Sequence, residues 1–218
     1  SGNIIFNVGE TKQDVLPGEC SQFDIAVTKH YTPGWLEFTT PGGPDERPSE
    51  ISESTWRFDN WVVDLDFEGA PGGNGIADND PRYWGVIDTP YTVTAIMCAP
   101  YNATAGLGEA VTVKANLEGA PKVRDSVVLQ TNVIQVYDLD ATVPQNNLEL
   151  HPGESFQLDT TIENTGNGPD RFDIAVNSIT DSNGGSAVWD IEIPRVTFEE
   201  LERDTSQEVP IYINIPEK

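Results

Sequence analysis

Apolar and polar residues alternate along short stretches of this chain, and Gly, Pro, Asn and Asp cluster between those stretches. In CSQFDIAV (20–27), Phe23, Ile25 and Val27 share one side while Gln22 and Asp24 take the other. In YTVTAIMC (91–98), Val93, Ala95 and Met97 do the same. A period of two places successive side chains on opposite faces, as a half-buried strand requires. No stretch carries the three-to-four-residue apolar spacing of a stable amphipathic helix, and EELERDTS (199–206) has room for one or two helical turns at most. Short alternating strands with frequent turn signals predict an all-β sandwich.

The pentapeptide FDIAV occurs twice, at 23–27 and 172–176. Longer matches carry the repeat better. PGECSQFDIAV (17–27) aligns with PGESFQLDTTI (152–162), so that Phe23 meets Leu158. YTVTAIMCAP (91–100) aligns with QEVPIYINIP (207–216), so that Val93, Ala95 and Met97 meet Val209, Ile211 and Ile213. Both matches keep their order, which predicts two related sandwiches in tandem. Superposing the two FDIAV copies instead would break the Pro-Gly-Glu match, so they are expected to be different strands. Each is expected to present its Phe, Ile and Val on one face. The polar, Pro-containing stretch VYDLDATVPQNN (136–147) leads into the second Pro-Gly-Glu, and the domains are expected to be 1–138 and 139–218.

Charge narrows the setting. The chain has 36 acidic residues against 12 Lys plus Arg, a net charge of −24 over 218 residues. That field repels phosphate backbones and anionic lipid, which argues against a nucleic-acid partner. It also suits salty surroundings, where self-repulsion is screened. No apolar run approaches the ~20 residues that cross a bilayer, so this segment is not expected to insert in a membrane, and SGNIIFNVG at the start has no signal-peptide pattern.

The stretch LELHPGESFQLDTTIENTGNGPDRFDIAV (148–176), followed by VWDIEIP and VPIYINIP, resembles immunoglobulin-like repeats of prokaryotic, especially archaeal, cell-surface and secreted proteins. The similarity is to the adhesion-related and glycosidase-associated accessory type. It covers nearly all of the second half, and residues 17–27 and 91–136 of the first. Asn164-Thr165-Gly166 fits its tight turn, because Asn and Gly tolerate positive φ. After Pro100 the first module continues with GEAVTVKANLEGA and DSVVLQTNVIQV, which read as two closing strands, whereas Pro216 is followed by Glu217 and Lys218. The second sandwich is therefore expected to lack its last two strands. It reads as a piece of a longer array or as a sheet edge completed by strand pairing with a neighbouring chain or domain.

The resemblance makes the Pro-Gly-Glu strand and the Pro-terminated strand antiparallel neighbours. By alternation Cys20 and Cys98 then both point outward, at the start of one strand and the end of the other. A cross-strand disulfide on the sheet's outer face is expected, in an oxidising compartment; two free thiols are the alternative. The same register makes Ser155 and Asn214 neighbours.

Few residues suggest chemistry. Asp64, Asp66, Glu68, Asp78, Asp80 and Asp88 gather around a long insertion at 68–84, and of these Asp64, Asp66, Asp78 and Asp80 are the candidate ligands for calcium, which takes six to eight oxygens. The stretch lacks EF-hand spacing, and clustering is expected in so acidic a chain. No other cofactor is implied. Trp84, Tyr83 and Trp56, beside this insertion and the one at 41–55, are candidate sugar-stacking rings. Trp61 and Trp189, each at the head of an alternating strand, are expected to fill cores. Asn102-Ala103-Thr104 is an N-glycosylation sequon. His30 and His151 have no motif partner, and no GxSxG or HExxH occurs. These features predict a non-enzymatic extracellular or cell-surface module that spaces or displays a binding surface, with other surface proteins or glycans as partners. An accessory carbohydrate-binding module of a larger secreted hydrolase is the alternative.

Overall fold

A computed structural model of the chain describes residues 2–31, 33–40, 54–58, 61–66, 82–83, 87–195 and 197–217, with backbone alone for 54–58, 61–66 and 82–83. The described residues form strands and turns with no α-helix, so the chain is all-β. It divides into two compact units, 1–134 and 135–218. The division precedes the expected one by a few residues, because Val136 and Asp138 already bond to the 165–167 turn of the second unit.

The first unit contains β1 (Asn3–Val8), β2 (Lys12–Val15), β3 (Cys20–His30), β4 (Leu36–Thr39), β5 (Ser54–Phe58), β6 (Trp61–Asp66), β7 (Arg82–Tyr83), β8 (Tyr91–Cys98), β9 (Gly108–Leu117) and β10 (Ala120–Val133). They pair into two sheets, ordered β1-β3-β8-β6-β5 and β2-β10-β9-β4-β7. Every pairing is antiparallel except that of β2 with β10, which is parallel. Alternation works as expected: Phe23, Ile25 and Val27 of β3 are buried, as are Val93, Ala95 and Met97 of β8. They pack against Leu36, Phe38, Val111, Val113 and Leu129 of the other sheet in one core. Each such side chain contributes about 1.5–3 kcal/mol through burial, and this face-to-face packing makes the unit a sandwich.

The second unit contains β11 (Leu139–Thr142), β12 (Ser155–Asn164), β13 (Asp170–Asp173), β14 (Asp190–Glu192), β15 (Thr197–Leu201) and β16 (Ser206–Asn214). Its larger sheet runs β11-β12-β16-β14, and β13 pairs only with β15. Strand for strand this repeats β1-β3-β8-β6 and β4-β7 of the first unit. Among the described residues nothing stands where β9 and β10 stand.

Three local expectations are corrected. Residues 197–201, which overlap the short helical candidate, are strand β15, because alternate Phe198 packs on Phe172 with ring centroids 4.6 Å apart. The second FDIAV stays in a strand only through Asp173; Ile174 is half-buried and Val176 exposed, and among the described residues β15 is the one strand that pairs with β13. Trp189 is 46% exposed rather than in a core. It shares the alternation of Ile191, but among the described residues the smaller sheet of this unit has two strands, β13 and β15.

Candidate functional site

The two Pro-Gly-Glu turns are built alike. Gly18 and Gly153 have φ of 77° and 82°, which glycine adopts without steric cost, and each follows a Pro as in a type II turn. The Glu19 amide donates to the Leu16 carbonyl at 3.0 Å, and the Glu154 amide to that of His151 at 3.0 Å. Each Glu carboxylate then accepts a bond from the amide three residues back, Leu16 at 3.2 Å and His151 at 2.7 Å. The amides of Ala99 and Ile215 donate to the carbonyls of Glu19 and Glu154, at 2.9 Å in each case.

From these turns the strands run in one register. Cys20 opposes Cys98, Phe23 opposes Ala95 and Ile25 opposes Val93. In the second unit Ser155 opposes Asn214, Leu158 opposes Ile211 and Thr160 opposes Val209. Cys20 and Cys98 form a disulfide. Cys20 is exposed and Cys98 half-buried, on the sheet's outer face, while their neighbours Ser21 and Met97 are buried.

The inner faces differ. In the first unit the Ser21 hydroxyl meets the Thr131 hydroxyl of β10 at 2.6 Å, and Thr131 lies 3.7 Å from the Met97 sulfur. In the second unit the matching positions Phe156 and Ile213 are only half-buried, as are Leu158, Ile211 and Ile191. The core there is reduced to Ile162, Phe172, Phe198 and Val209, toward the other end of β12. An open groove of about 740 Å³ lies between the residues after β13 and the strand β14. Ile174, Val176, Ile191 and Ile193 give it an apolar floor, and Asp173, Asp190 and Glu192 an acidic rim. Such a surface accepts apolar or main-chain partners and repels anions.

Two polar features escaped the sequence reading. Asn164 is fully buried; its amide donates to the carbonyls of Gly168 at 2.9 Å and Leu201 at 2.8 Å, and its side-chain oxygen accepts from the Gly166 amide at 2.9 Å. The Asn167 side chain accepts from the Val136 amide at 2.7 Å. Together they tie the ends of β12, β15 and the 136–138 segment. Neither Asn164 nor Gly166 has positive φ. The turn needs glycine instead because a Cβ at 166 would collide with the Val136 carbonyl oxygen. An Asn-x-Gly spacing reports a tight turn; it does not report that the Asn side chain points inward. The second feature is Lys29, fully buried on β3, whose ammonium donates to the Gly34 carbonyl at 2.8 Å. Desolvation pushes its pKa below 10.5.

The sequence-selected sites are dispersed. Asp64 and Asp66 lie on β6, opposite Ile96 and Thr94 of β8. Trp56 and Tyr83 lie on β5 and β7, described by backbone alone, and Trp61 heads β6. Asp78, Asp80 and Trp84, with most of the two long insertions, lie outside the described residues. Asp88 bonds His30 at 2.7 Å. Among the described residues no three of His, Cys, Asp and Glu converge on one point. Asn102 is exposed in the turn between β8 and β9. No helix of the described residues is long and apolar enough to cross a membrane.

No protein-family model matches the chain, and no curated protein is detectably similar to it in sequence.

Proposed function

We propose that the chain is an extracellular, non-enzymatic structural and adhesion module made of two immunoglobulin-like repeats from a cell-surface or secreted protein. The observation that carries this reading is the strand order β1-β3-β8-β6 against β2-β10-β9-β4, with β2 parallel to β10, and the recurrence of the first of these orders as β11-β12-β16-β14 in the second unit. Immunoglobulin-like sandwiches pair first, second, fifth and fourth strands in one sheet and third, sixth and seventh in the other. The Cys20–Cys98 disulfide favours an oxidising compartment, and the net charge of −24 favours a solvated, non-associating surface.

A spacer has to carry load. Pulling on the two ends of the first unit drags β2 and β10 in opposite directions along a parallel pair, so their hydrogen bonds resist together. The amides of Gln130 and Ile134 donate to the carbonyls of Thr11 and Val15 at 2.8 and 2.9 Å, and the Gln13 side chain accepts from the Gln22 amide at 3.1 Å. Single-molecule pulling should give a distinct force peak for this unit. Reduction of the disulfide, whose cysteines are 78 positions apart, should lengthen the released chain by ~260 Å at the ~3.3 Å per residue of extended backbone. Gln13→Pro should lower the peak. A first unit that extends without a peak, or a peak indifferent to Gln13→Pro, would count against the load-bearing role. Glycan-array binding abolished by Trp84→Ala would turn the reading to the accessory carbohydrate-binding alternative.

A further inference from the structure

In an Asn-Gly pair the glycine amide can approach the preceding side chain without a Cβ in its way. The chain contains this pair at 74–75, 167–168 and 183–184. The first lies outside the described residues, and the other two have opposite surroundings. Asn167 and Gly168 are both buried. The Asn167 side-chain oxygen accepts from the Val136 amide at 2.7 Å, and the Gly168 carbonyl accepts from the Asn164 side chain at 2.9 Å. Asn183 and Gly184 instead sit at the tip of a small hairpin between β13 and β14. Its root is the bridge of Thr180 with Ser186, and the Ala187 amide donates to the Ile179 carbonyl at 3.0 Å. Residues 180–186 are all exposed. Asp181 folds its carboxylate over the tip and accepts from the amides of Asn183 and Gly185, at 2.8 Å in each case. Gly184 has a φ of 81°, and a Cβ built on it would meet nothing within 4 Å, so the space around the Gly184 backbone is open.

We propose that Asn183 is a site of spontaneous deamidation, which places a new carboxylate at the tip of this hairpin. The Gly184 amide nitrogen attacks Asn183 Cγ. The bond from Cγ to the side-chain nitrogen breaks, and that group leaves as ammonia with the proton given up by Gly184. Water then opens the resulting succinimide ring. Cleavage at Cγ gives aspartate, and cleavage at the main-chain carbonyl gives isoaspartate, with the chain rerouted through the side chain. Ring closure within one dipeptide has the advantage of proximity, and the obstacle at this turn is local. The Gly184 amide must release the Asp181 carbonyl, to which it donates at 3.0 Å. That bond lies among exposed residues, where opening a turn uncovers no core and comes at the low end of local unfolding costs. At Asn167 the same chemistry requires a buried oxygen to give up the Val136 amide and leave it unsatisfied, which depletes the reactive form. The product carboxylate stands beside Asp181 and adds to a net charge that is already −24. None of this depends on reading the units as repeats or the chain as an adhesion module.

The test incubates the whole chain, disulfide intact, in mildly alkaline buffer and follows each Asn-Gly peptide by mass and by isoaspartate content. The Asn183 peptide should gain the mass of OH in place of NH2 at least about tenfold faster than the Asn167 peptide, the factor that one retained buried hydrogen bond supplies. Isoaspartate should appear among its products. In strong denaturant the two rates should converge, because the chemistry of the dipeptide is then the same. Asn183→Gln, whose longer side chain closes the ring poorly, should leave this peptide's mass unchanged over the same interval. An Asn183 that stays intact in the native chain yet reacts in denaturant would overturn the proposal, since the turn would then hold the amide away from Cγ. An Asn167 that keeps pace with Asn183 in the native chain would overturn it too, since burial would not be selecting the site.

Discussion

The register shared by the two units can be tested by moving the disulfide of one into the other. Ser155 opposes Asn214 as Cys20 opposes Cys98, at the head of equivalent strands and beyond equivalent turns. The double variant Ser155→Cys/Asn214→Cys should therefore oxidise spontaneously. Ser155 is exposed and Asn214 half-buried, and the main loss is a long 3.5 Å bond from the Asn214 amide to Asp190. Chain-entropy reasoning gives about 4 kcal/mol for closing a loop of ~60 residues, within about 0.2 kcal/mol of the native loop because the dependence is logarithmic. The assay is thiol titration before and after air oxidation, then denaturant-dependent hydrogen exchange of the β12 and β16 amides with and without reductant. Two free thiols persisting under oxidation would refute the register equivalence. A bridge that forms but leaves the denaturation midpoint unmoved would refute the entropic magnitude.

Four further outcomes follow from the same geometry. Cys20→Ser/Cys98→Ser should cost the first unit up to about 4 kcal/mol in denaturation and leave exchange in the second unit unchanged. Asn164→Ala, which deprives the Gly168 and Leu201 carbonyls of a donor, should destabilise the second unit by about 2–4 kcal/mol in denaturant titration, and Asn164→Asp by more, because it aims a carboxylate at both oxygens; an Asp variant as stable as wild type would contradict the bonding. Thr160 takes the place of Ile25, and its buried hydroxyl has no partner among the described residues, so Thr160→Val should raise the second unit's melting point by the equivalent of about 1 kcal/mol. Burial lowers the Lys29 pKa in the folded state, so the unfolded chain binds more protons between that depressed value and 10.5; stability should rise with pH across that window, and Lys29→Met should flatten the slope in alkaline denaturation series.

Legibility in this sequence tracks how local each cause is. Period-two alternation is a property of neighbouring residues, so the inward sets Phe23/Ile25/Val27 and Val93/Ala95/Met97 were readable; the disulfide and the Ser155–Asn214 pairing needed in addition the strand adjacency that the resemblance implies. Burial depends on a second sheet that alternation does not report. Ile213 takes the place of the buried Met97 and Trp189 shares the alternation of Ile191, yet Ile213 is half-buried and Trp189 exposed, with no strand facing them among the described residues of the second unit. The two FDIAV copies make the point at constant sequence. The first is clamped between β1 and β8 and covered by the facing sheet; the second sits on an edge, and its last three residues leave the strand and line a groove. Buried polar devices were least legible. Asn164 and Lys29 belong to residue types that are usually exposed, and apolar alternation does not report the carbonyls of Gly168, Leu201 and Gly34 that accept from them.

That asymmetry bears on how the two units divide the work. The first unit closes its described core between two sheets, with a disulfide on the outer face and a parallel pair of β2 with β10. The second unit repeats the turn and the register of the first, and among the described residues no strand of its own stands where the first unit carries β9 and β10. Ile162, Phe172, Phe198 and Val209 stay buried, while Phe156, Ile213 and Ile191 are half-buried and Tyr137, Val176, Val188 and Trp189 are exposed. The groove after β13 sets Asp173, Asp190 and Glu192 beside Ile174, Val176, Ile191 and Ile193, so a group that brings negative charge of its own is repelled there.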